Sequence, residues 1–545
     1  MATDIGEVGG GMDQMMEPSG HPSAVQYSDL LAKGTPSHRV MTKFRSTNGD
    51  TFTESSNECR IALNVPTDSF IDGRSSYLSC RVLLRNANAG ATKITLDGGG
   101  PSLIKRLRLF GPDGSILSEL NEYAKIYSAM TQLQAGPDNV DSYHGLLTGF
   151  NKNPGDAASV TQSSANDQYL HFSMPLLEPL LNSDKYVPAG WVKGAPLTIS
   201  ITFASFNEMA VVDNTSNFTA HATPFTIDSV SYNAEVLKFD SDFNASFSGM
   251  LNQVGGVMMH SIAYNCIVSN FTGTAQNPEA GSNTNERVLN LPIRYRSTRA
   301  VIHTLHDAAA IVSNTSYGNT TRRHYRLSEY VHRIGGQNIP TQPITLSETA
   351  HGDAVAEVMK VFGSLGNVTH SACIAEGTGA VSESKDYVSV VPSTTMDFGA
   401  VGPASAAATG RLYQIVTAGT TSDYNTGGAP EGTGPVGAIF LKSAGAITGN
   451  GTVQEVTLKT VEKREARAYY PTLNTSAASM FVIAQNLASY PSENLESGGD
   501  YSNQGLPLML HLKLAPNSAN TQVNSYFITD ALFTLTSDGS ISVSQ

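Results

Sequence analysis

The chain has 545 residues, of which 40% are hydrophobic and 15% charged, and a formal net charge of −13. That length suits two large domains rather than one, and the acidic balance argues against phosphate binding as the main activity. Gly, Ser, Thr and Asn are abundant and long Ala/Leu/Glu/Lys runs are absent, which excludes a helical bundle and fits a turn-rich β protein.

Residues 1–30 are rich in Gly, Met and Ser without periodicity and read as a flexible N-terminal arm. They hold no basic stretch followed by an apolar one, so no signal peptide is expected, and no run in the chain approaches a membrane span. From His38 short strands begin: "HRVMTKFRST", "ECRIALNVP" and "SYLSCRVLLRNA". In "SLIKRLRLF" the alternation puts Ile104, Arg106 and Arg108 on one side and Leu103, Leu107 and Leu109 on the other. The turn Gly111-Pro112-Asp113-Gly114 carries a type I signature. Tyr123, Ile126, Tyr127 and Met130 then recur at helical spacing, which predicts a helix of about three turns. Strands resume with "QYLHFSMPL" and "APLTISITFASF", and "FTIDSVSYNAEVLKF" closes the set.

The second half repeats this order. "RVLNLPIRYRS" and "TRAVIHTLHD" are strands, and "YRLSEYVHRIGGQNIP" is a hairpin with a Gly335-Gly336 turn. Val355, Val358, Met359 and Phe362 again mark one face of a helix. "SMFVIAQNL", "LPLMLHLKLAP" and "SYFITDALFTLTSDGSISV" complete the half. Gly111 and Gly335 are nearer in sequence than Pro196 and Pro507, so the second half carries extra material. Most of it is residues 374–453, dominated by Gly, Ala, Ser and Thr, and a segment that long is expected to form a small β-rich protrusion. Without it the two units, 31–260 and 261–545, are of similar size. Each reads as a β-sandwich or jelly roll, and their shared order predicts internal duplication, with diverged turns at equivalent hairpins.

Motifs for chemistry are sparse. Gly432–Gly437 fits G-x-G-x-x-G, but Pro435 interrupts it and a strand-like "VGAIFLK" comes next. His303 and His306 in "VIHTLHD" project to opposite faces of a strand and are expected to be ordinary strand histidines. Ser497 lies between Glu496 and Asp500 without a nucleophile elbow. Asp240 and Asp242 in "KFDSDFN" read as a polar strand end. The densest cationic cluster, Arg322-Arg323-His324 with Arg326, reads as a solvated loop or a subunit contact. The four cysteines, Cys59, Cys80, Cys266 and Cys373, have neither CxxC nor zinc spacing, and Cys59 and Cys80 are expected to be buried apolar residues. Nine Asn-x-Ser/Thr sequons, Asn244 and Asn319 among them, reflect a chain rich in these residues. No catalytic residue, cofactor-binding residue or metal ligand is assigned, and no cofactor is expected.

The segments "YRLSEYVHRIGGQNIP", "LESGGDYSNQGLPLMLHLKLAP" and "YFITDALFTLTSDGSISV" resemble the second jelly roll of double jelly-roll major capsid proteins of polinton-like viruses and virophages, in the lineage that includes adenovirus hexon. "SLIKRLRLFGPDGSILSELNEYAKIYSAM" and "FSMPLLEPLLNSDKYVPAGWVKGAPLTISITFA" resemble the first roll. The resemblance implies an all-β fold of two consecutive eight-stranded jelly rolls with short helices and a β-rich insertion in the second roll. It implies that residues 374–453 form an outward tower, that three chains make a pseudo-hexagonal capsomer, and that capsomers tile an icosahedral shell of a DNA virus. The implied partners are two further copies, neighbouring capsomers, and penton and other minor capsid proteins. Contact with the packaged genome is at most weak and non-specific. A carbohydrate-binding or adhesive β-sandwich surface protein is the alternative, disfavoured by the few cysteines. A β-sandwich hydrolase relying on His303 or Ser497 is a third.

Overall fold

A computed structural model describes residues 35–134, 144–151, 157–272 (save 166 and 184), 285–346 (save 326), 352–362, 394–417 (save 410), 436, 439–442, 447, 450–460, 481–489, 498–502, 507–514 and 520–545. The first half contributes β1 (Ser37–Arg45), β2 (Glu58–Ala62), β3 (Ser69–Leu84), β4 (Ile104–Phe110), β5 (Ile116–Asn121), β6 (Tyr169–Met174), β7 (Thr198–Phe203) and β8 (Phe225–Phe239). The second contributes β9 (Gly256–Phe271), β10 (Asn285–Leu291), β11 (Thr298–Asp307), β12 (Glu329–Ile334), β13 (Gln337–Thr345), β14 (Ile483–Asn486), β15 (Leu508–Leu514) and β16 (Thr521–Thr536).

In the first half one antiparallel sheet runs β1-β8-β3-β6 and the other β2-β7-β4-β5. In the second half the orders are β9-β16-β11-β14 and β10-β15-β12-β13. Each strand of the second half therefore occupies the place of the strand eight labels before it. The two sheets of each half pack face to face. Cys59, Ile61, Leu109, Ile199 and Ile201 from one sheet and Leu78, Cys80 and Val82 from the other are fully buried. In β15, Leu508, Leu510, Leu512 and Leu514 point inward and alternate with half-exposed Met509, His511 and Lys513, the period-2 pattern that fixes strand register.

The two hairpins occupy the same place at the edge of their sheets, as their shared order predicts. Their turns differ. Gly335 and Gly336 have φ of 54° and 89° in a two-residue turn between paired Ile334 and Gln337. In the other hairpin Gly114 N donates to Gly111 O at 3.0 Å, and Gly114 takes φ 81°. One detail of β4 departs from its alternation. Ile104 pairs with Phe203 and Arg106 with Thr202, so Lys105 is an extra residue at a bulge. The bulge shifts parity and carries Ile104 into the core with Leu107 and Leu109, away from the arginines.

Among the described residues three longer helices accompany the sheets. The predicted faces form α1 (Tyr123–Gln134) and α3 (Gly352–Val361), each following the outer strand of its hairpin. Between the halves lies a further helix, α2 (Ser241–Val254), beyond the two that the helical spacing above predicts. Asp240 is its N-cap and accepts from Phe243 N at 3.0 Å, and Gly255 ends it with φ 81°. Asp240 thus follows the end of β8 as a polar residue and at the same time opens a helix, with Asp242 in its first turn.

At one end of the first half, Thr92–Leu96, Ser159–Gln162 and Ala210–Val212 form a small sheet from three connections. In the second half the β13–β14 connection carries a separate antiparallel sheet of Thr394–Pro403, Leu412–Thr417, Ile439–Leu441 and Thr452–Thr460. It has its own small core of Tyr413, Ile415, Phe440, Ile447 and Val453. Residues 1–30 and much of 374–453 lie outside the described residues.

Candidate functional site

The two halves meet in a buried joint. Its centre is the connection after β11, residues 317–325, which reaches into the first half. Asp97 is buried there and accepts from Asn319 N at 2.6 Å and Thr320 N at 3.2 Å, and from the Thr320 hydroxyl. Burial pushes its carboxyl up to about 6, against these hydrogen bonds. Gln132 of α1 donates to Thr320 O at 3.0 Å and accepts from Arg322 Nη2 at 2.6 Å. Arg322 Nε donates to Phe481 O at 3.1 Å, so one guanidinium ties α1 to the second half's core. Burial lowers Arg322 to about 9, which leaves it charged at neutral pH. Tyr526 of β16 donates to Glu122 O at 3.0 Å.

These contacts correct the reading of the cationic cluster. Arg322 and His324 are buried, and Arg322 joins the halves within one chain while His324 stands edge-on to Phe481 of its own half, so neither belongs to a solvated loop or a subunit contact. Arg326 lies outside the described residues. Polar groups this deeply buried require partners, and the connection supplies them.

A second part of the joint is apolar. Phe70, Trp191 and Leu237 of the first half pack with Leu251 of α2 and Leu535 of β16. Phe70 stands 4.6 Å from the Trp191 ring and 5.3 Å from Phe247. Phe243 and Phe247, one helical turn apart on α2, complete the cluster. Lys193 N donates to Gly539 O at 3.0 Å and closes the joint near the end of the second half.

A cleft of about 330 Å³ also lies between the halves, lined by Arg74, Leu177, Asn182 and Ser183 on one side and His260, Ser261, Ile262, Tyr264 and Arg299 on the other. Asp530 holds two of these groups, accepting from Arg299 Nε at 2.6 Å and lying 2.8 Å from His260 Nε2. Ser261, a hydroxyl of this cleft, donates to Pro179 O. That bond orients a joint; it does not activate a nucleophile.

The remaining candidates scatter. His303 faces inward and meets His332 of the opposite sheet, while His306 turns the other way and bonds Thr304 Oγ1 at 3.0 Å. The alternation of β11 is as expected; the sequence gives no sign of the partnership between His303 and His332. Cys59 and Cys80 are buried, and desolvation pushes their thiols up to about 11 and about 12. Asn244 and Asn319 are buried, which argues against glycosylation at those sequons. Gly498 N, next to the Ser497 candidate, donates to Ser297 Oγ at 3.0 Å and so serves the loop. Ser497, Cys373 and all of Gly432–Gly437 except Val436 lie outside the described residues. Among the described residues no group of three His, Cys, Asp or Glu is placed to hold a metal, and no helix is long and apolar enough to cross a membrane.

Two sandwiches in tandem, each with sheet orders 1-8-3-6 and 2-7-4-5, decide the architecture. The fold is a double jelly roll. Solved structures agree. VP54 of PBCV-1, fitted into a reconstruction of the virophage Sputnik, superposes with a TM-score of 0.53 at 10% identity over 95% of this chain and 99% of that one. The PBCV-1 virus capsid gives a TM-score of 0.51 at 11% identity over 95% of this chain and 99% of that one. No family model matches the sequence, and no curated protein is similar to it in sequence. The double jelly roll is thus shared at the level of backbone with almost no shared sequence. Core positions here need only the alternation and volume that a roll demands.

Proposed function

We propose that this chain is a structural major capsid protein of a virion. The observation that carries the reading is the pair of jelly rolls with identical sheet order, welded into one body by a buried joint. Likeness in fold to VP54 and to the PBCV-1 capsid supports it. Three copies would present six rolls as a pseudo-hexagonal capsomer, and such capsomers would tile an icosahedral shell with pentons and minor proteins at its special positions. Within this reading residues 1–30 are an arm, 31–260 and 261–545 approximate the two rolls with their boundary drawn back to α2, because β9 from Gly256 already belongs to the second roll, and 374–453 are an outward tower. The net charge of −13 supports only weak, non-specific contact with a packaged genome.

Light scattering on the purified full-length chain, followed by electron microscopy under assembly conditions, tests the proposal. Trimers and closed shells are the expected outcome. A stable monomer that never associates overturns it.

A further inference from the structure

The cleft between the rolls has a sign of charge opposite to that of the chain. Arg74 of the first roll and His260 and Arg299 of the second line its space of about 330 Å³. Among the described residues that line it there is no carboxylate, although acidic residues outnumber basic ones by 47 to 34 in the whole chain. The carboxylate that holds the second roll's side of the cleft, Asp530, lies behind the wall with its side chain 2% exposed. Its Oδ1 accepts from Arg299 Nε at 2.6 Å and lies 2.8 Å from His260 Nε2, and its Oδ2 accepts from the Ser297 hydroxyl. Burial acts to raise this carboxyl, yet the bonds from Ser297 and His260 and the Arg299 charge hold it below the ordinary carboxylate range. Asp530 is therefore ionised at neutral pH and fixes from behind the two groups that face the cleft. Arg299 is also underpaired: its Nη2 is shut off from solvent and finds no acceptor. An unmet donor on a charged group is costly, and an acceptor in the cleft that draws the guanidinium toward it relieves that cost.

The walls are built in advance. Asp72 of β3 pairs with Glu235 and Tyr77 with Asn233, so Gly73–Ser76 stand opposite Ala234 alone, in a wide bulge that carries Arg74. A Cβ on Gly73 would collide with Leu181 O, so the β6–β7 connection lies with its backbone directly on this bulge. Asn182, the next residue of that connection, ties its side-chain amide to Leu176 O at 2.7 Å. Ser261 of β9 donates to Pro179 O of the same connection. Elements of both rolls thus grip one segment, and the cleft keeps its shape without help from a ligand. Leu177, Ile262 and Tyr264 give the same space an apolar side.

We propose that this cleft binds a small organic phosphate, with the phosphate oxygens between Arg74 and Arg299 and the apolar body against Ile262 and Tyr264. Guanidinium groups suit such a headgroup because several N–H donors meet several oxygens at once. Small-molecule sites span roughly 300–1,000 Å³. This cleft lies at the lower end of that range, which suits a single ring with its phosphate and not a polymer. A bound phosphate adds a charged tie from β3 of one roll to β11 of the other and so tightens the joint within one chain. The inference needs only that joint and does not depend on how copies assemble.

The test titrates phenyl phosphate into the full-length chain by calorimetry, with phenol and inorganic phosphate as parallel probes. Saturable binding of phenyl phosphate is expected, together with a melting temperature that rises with its concentration. Phenol should not bind, and inorganic phosphate should bind more weakly. Arg74→Gln and Ile262→Glu change exposed side chains. Each should weaken binding of phenyl phosphate by about tenfold or more, with far-UV circular dichroism unchanged. Absence of saturable binding at millimolar phenyl phosphate overturns the proposal. Binding that both variants leave undiminished places the anion elsewhere and also overturns it. Phenol binding as well as phenyl phosphate removes the anion from the recognition, and inorganic phosphate binding equally well removes the organic body; either result rejects an organic phosphate as the ligand.

Discussion

His303 and His332 face each other across the core of the second roll, Nε2 to Nε2 at 2.9 Å with ring centroids 5.1 Å apart. One ring must donate and the other accept, so the bond is lost once both rings are protonated, and burial opposes charging either one. Ser525 Oγ lies 2.8 Å from His303 Nδ1, and Tyr330 stands edge-on to His332. Burial holds both rings below the ordinary imidazole range, His303 also through its neighbour, and His332 falls to about 3. An unfolded histidine titrates near about 6.5. The pair's contribution to stability is therefore complete above that pH and is lost as pH falls toward 3. His332→Gln keeps a neutral hydrogen-bonding group there. The variant should be less stable by about 1 kcal/mol at pH 7, with the gap closing as pH falls. Melting temperatures across that window check this; parallel curves would refute it.

Arg322 is the second test. Its guanidinium holds Gln132 of one roll and Phe481 O of the other, and the side chain is wholly buried. Arg322→Ala leaves a void and unpaired acceptors in the joint. A loss of about 3 kcal/mol or more is expected from breaking a buried charged network. Arg322→Lys should recover little, because one ammonium cannot span both acceptors in the plane of the fork. Denaturant titration of the two variants decides it.

The strands and helices were legible because their physics is local. Leu508, Leu510, Leu512 and Leu514 declare a strand, and Tyr123, Ile126 and Tyr127 declare a helix face. What sequence could not show is set by tertiary closure. Arg322 sits in a polar stretch that looks solvated, yet it is buried between Gln132 of the other roll and Phe481 of its own. His303 and His332 meet because two sheets close on each other. Lys105 shifts the parity of β4 at a bulge, which nothing in "SLIKRLRLF" signals. The case of α2 is different. Asp240 at the N-cap, Phe243, Phe247 and Leu251 at helical spacing, and Gly255 at the end form a complete local signal.

Trp191 is the only tryptophan of the chain and lies within the aromatic cluster where the rolls join. Its emission therefore reports the joint, while far-UV circular dichroism reports both rolls. The joint combines a polar seam and an apolar cluster, so the two signals should change together on unfolding. Phe247→Ala removes a ring 4.8 Å from the indole. It should shift emission to the red and lower stability by about 2 kcal/mol. An unchanged spectrum with unchanged midpoint would show that this cluster does not hold the rolls.

Asp97 gives a pH dependence of the opposite sign. Its folded carboxyl titrates at about 6, above the ordinary carboxylate value, because burial outweighs the donors from Asn319 and Thr320. Its contribution is thus fully present below about 4 and is lost as pH rises through about 6. A shift of that size corresponds to about 3 kcal/mol. Asp97→Asn cannot ionise, so relative to the wild type its stability should rise between pH 4 and 6. Its amide must face Asn319 N–H, so at the acidic end it starts about 1 kcal/mol lower. Because the histidine pair works in the same window with the other sign, the double variant with His332→Gln should show the shallowest pH profile of the four proteins. Thermal melts of wild type, both single variants and the double variant measure this directly, and a double variant as steep as either single one would exclude these two sites as the source of the slope.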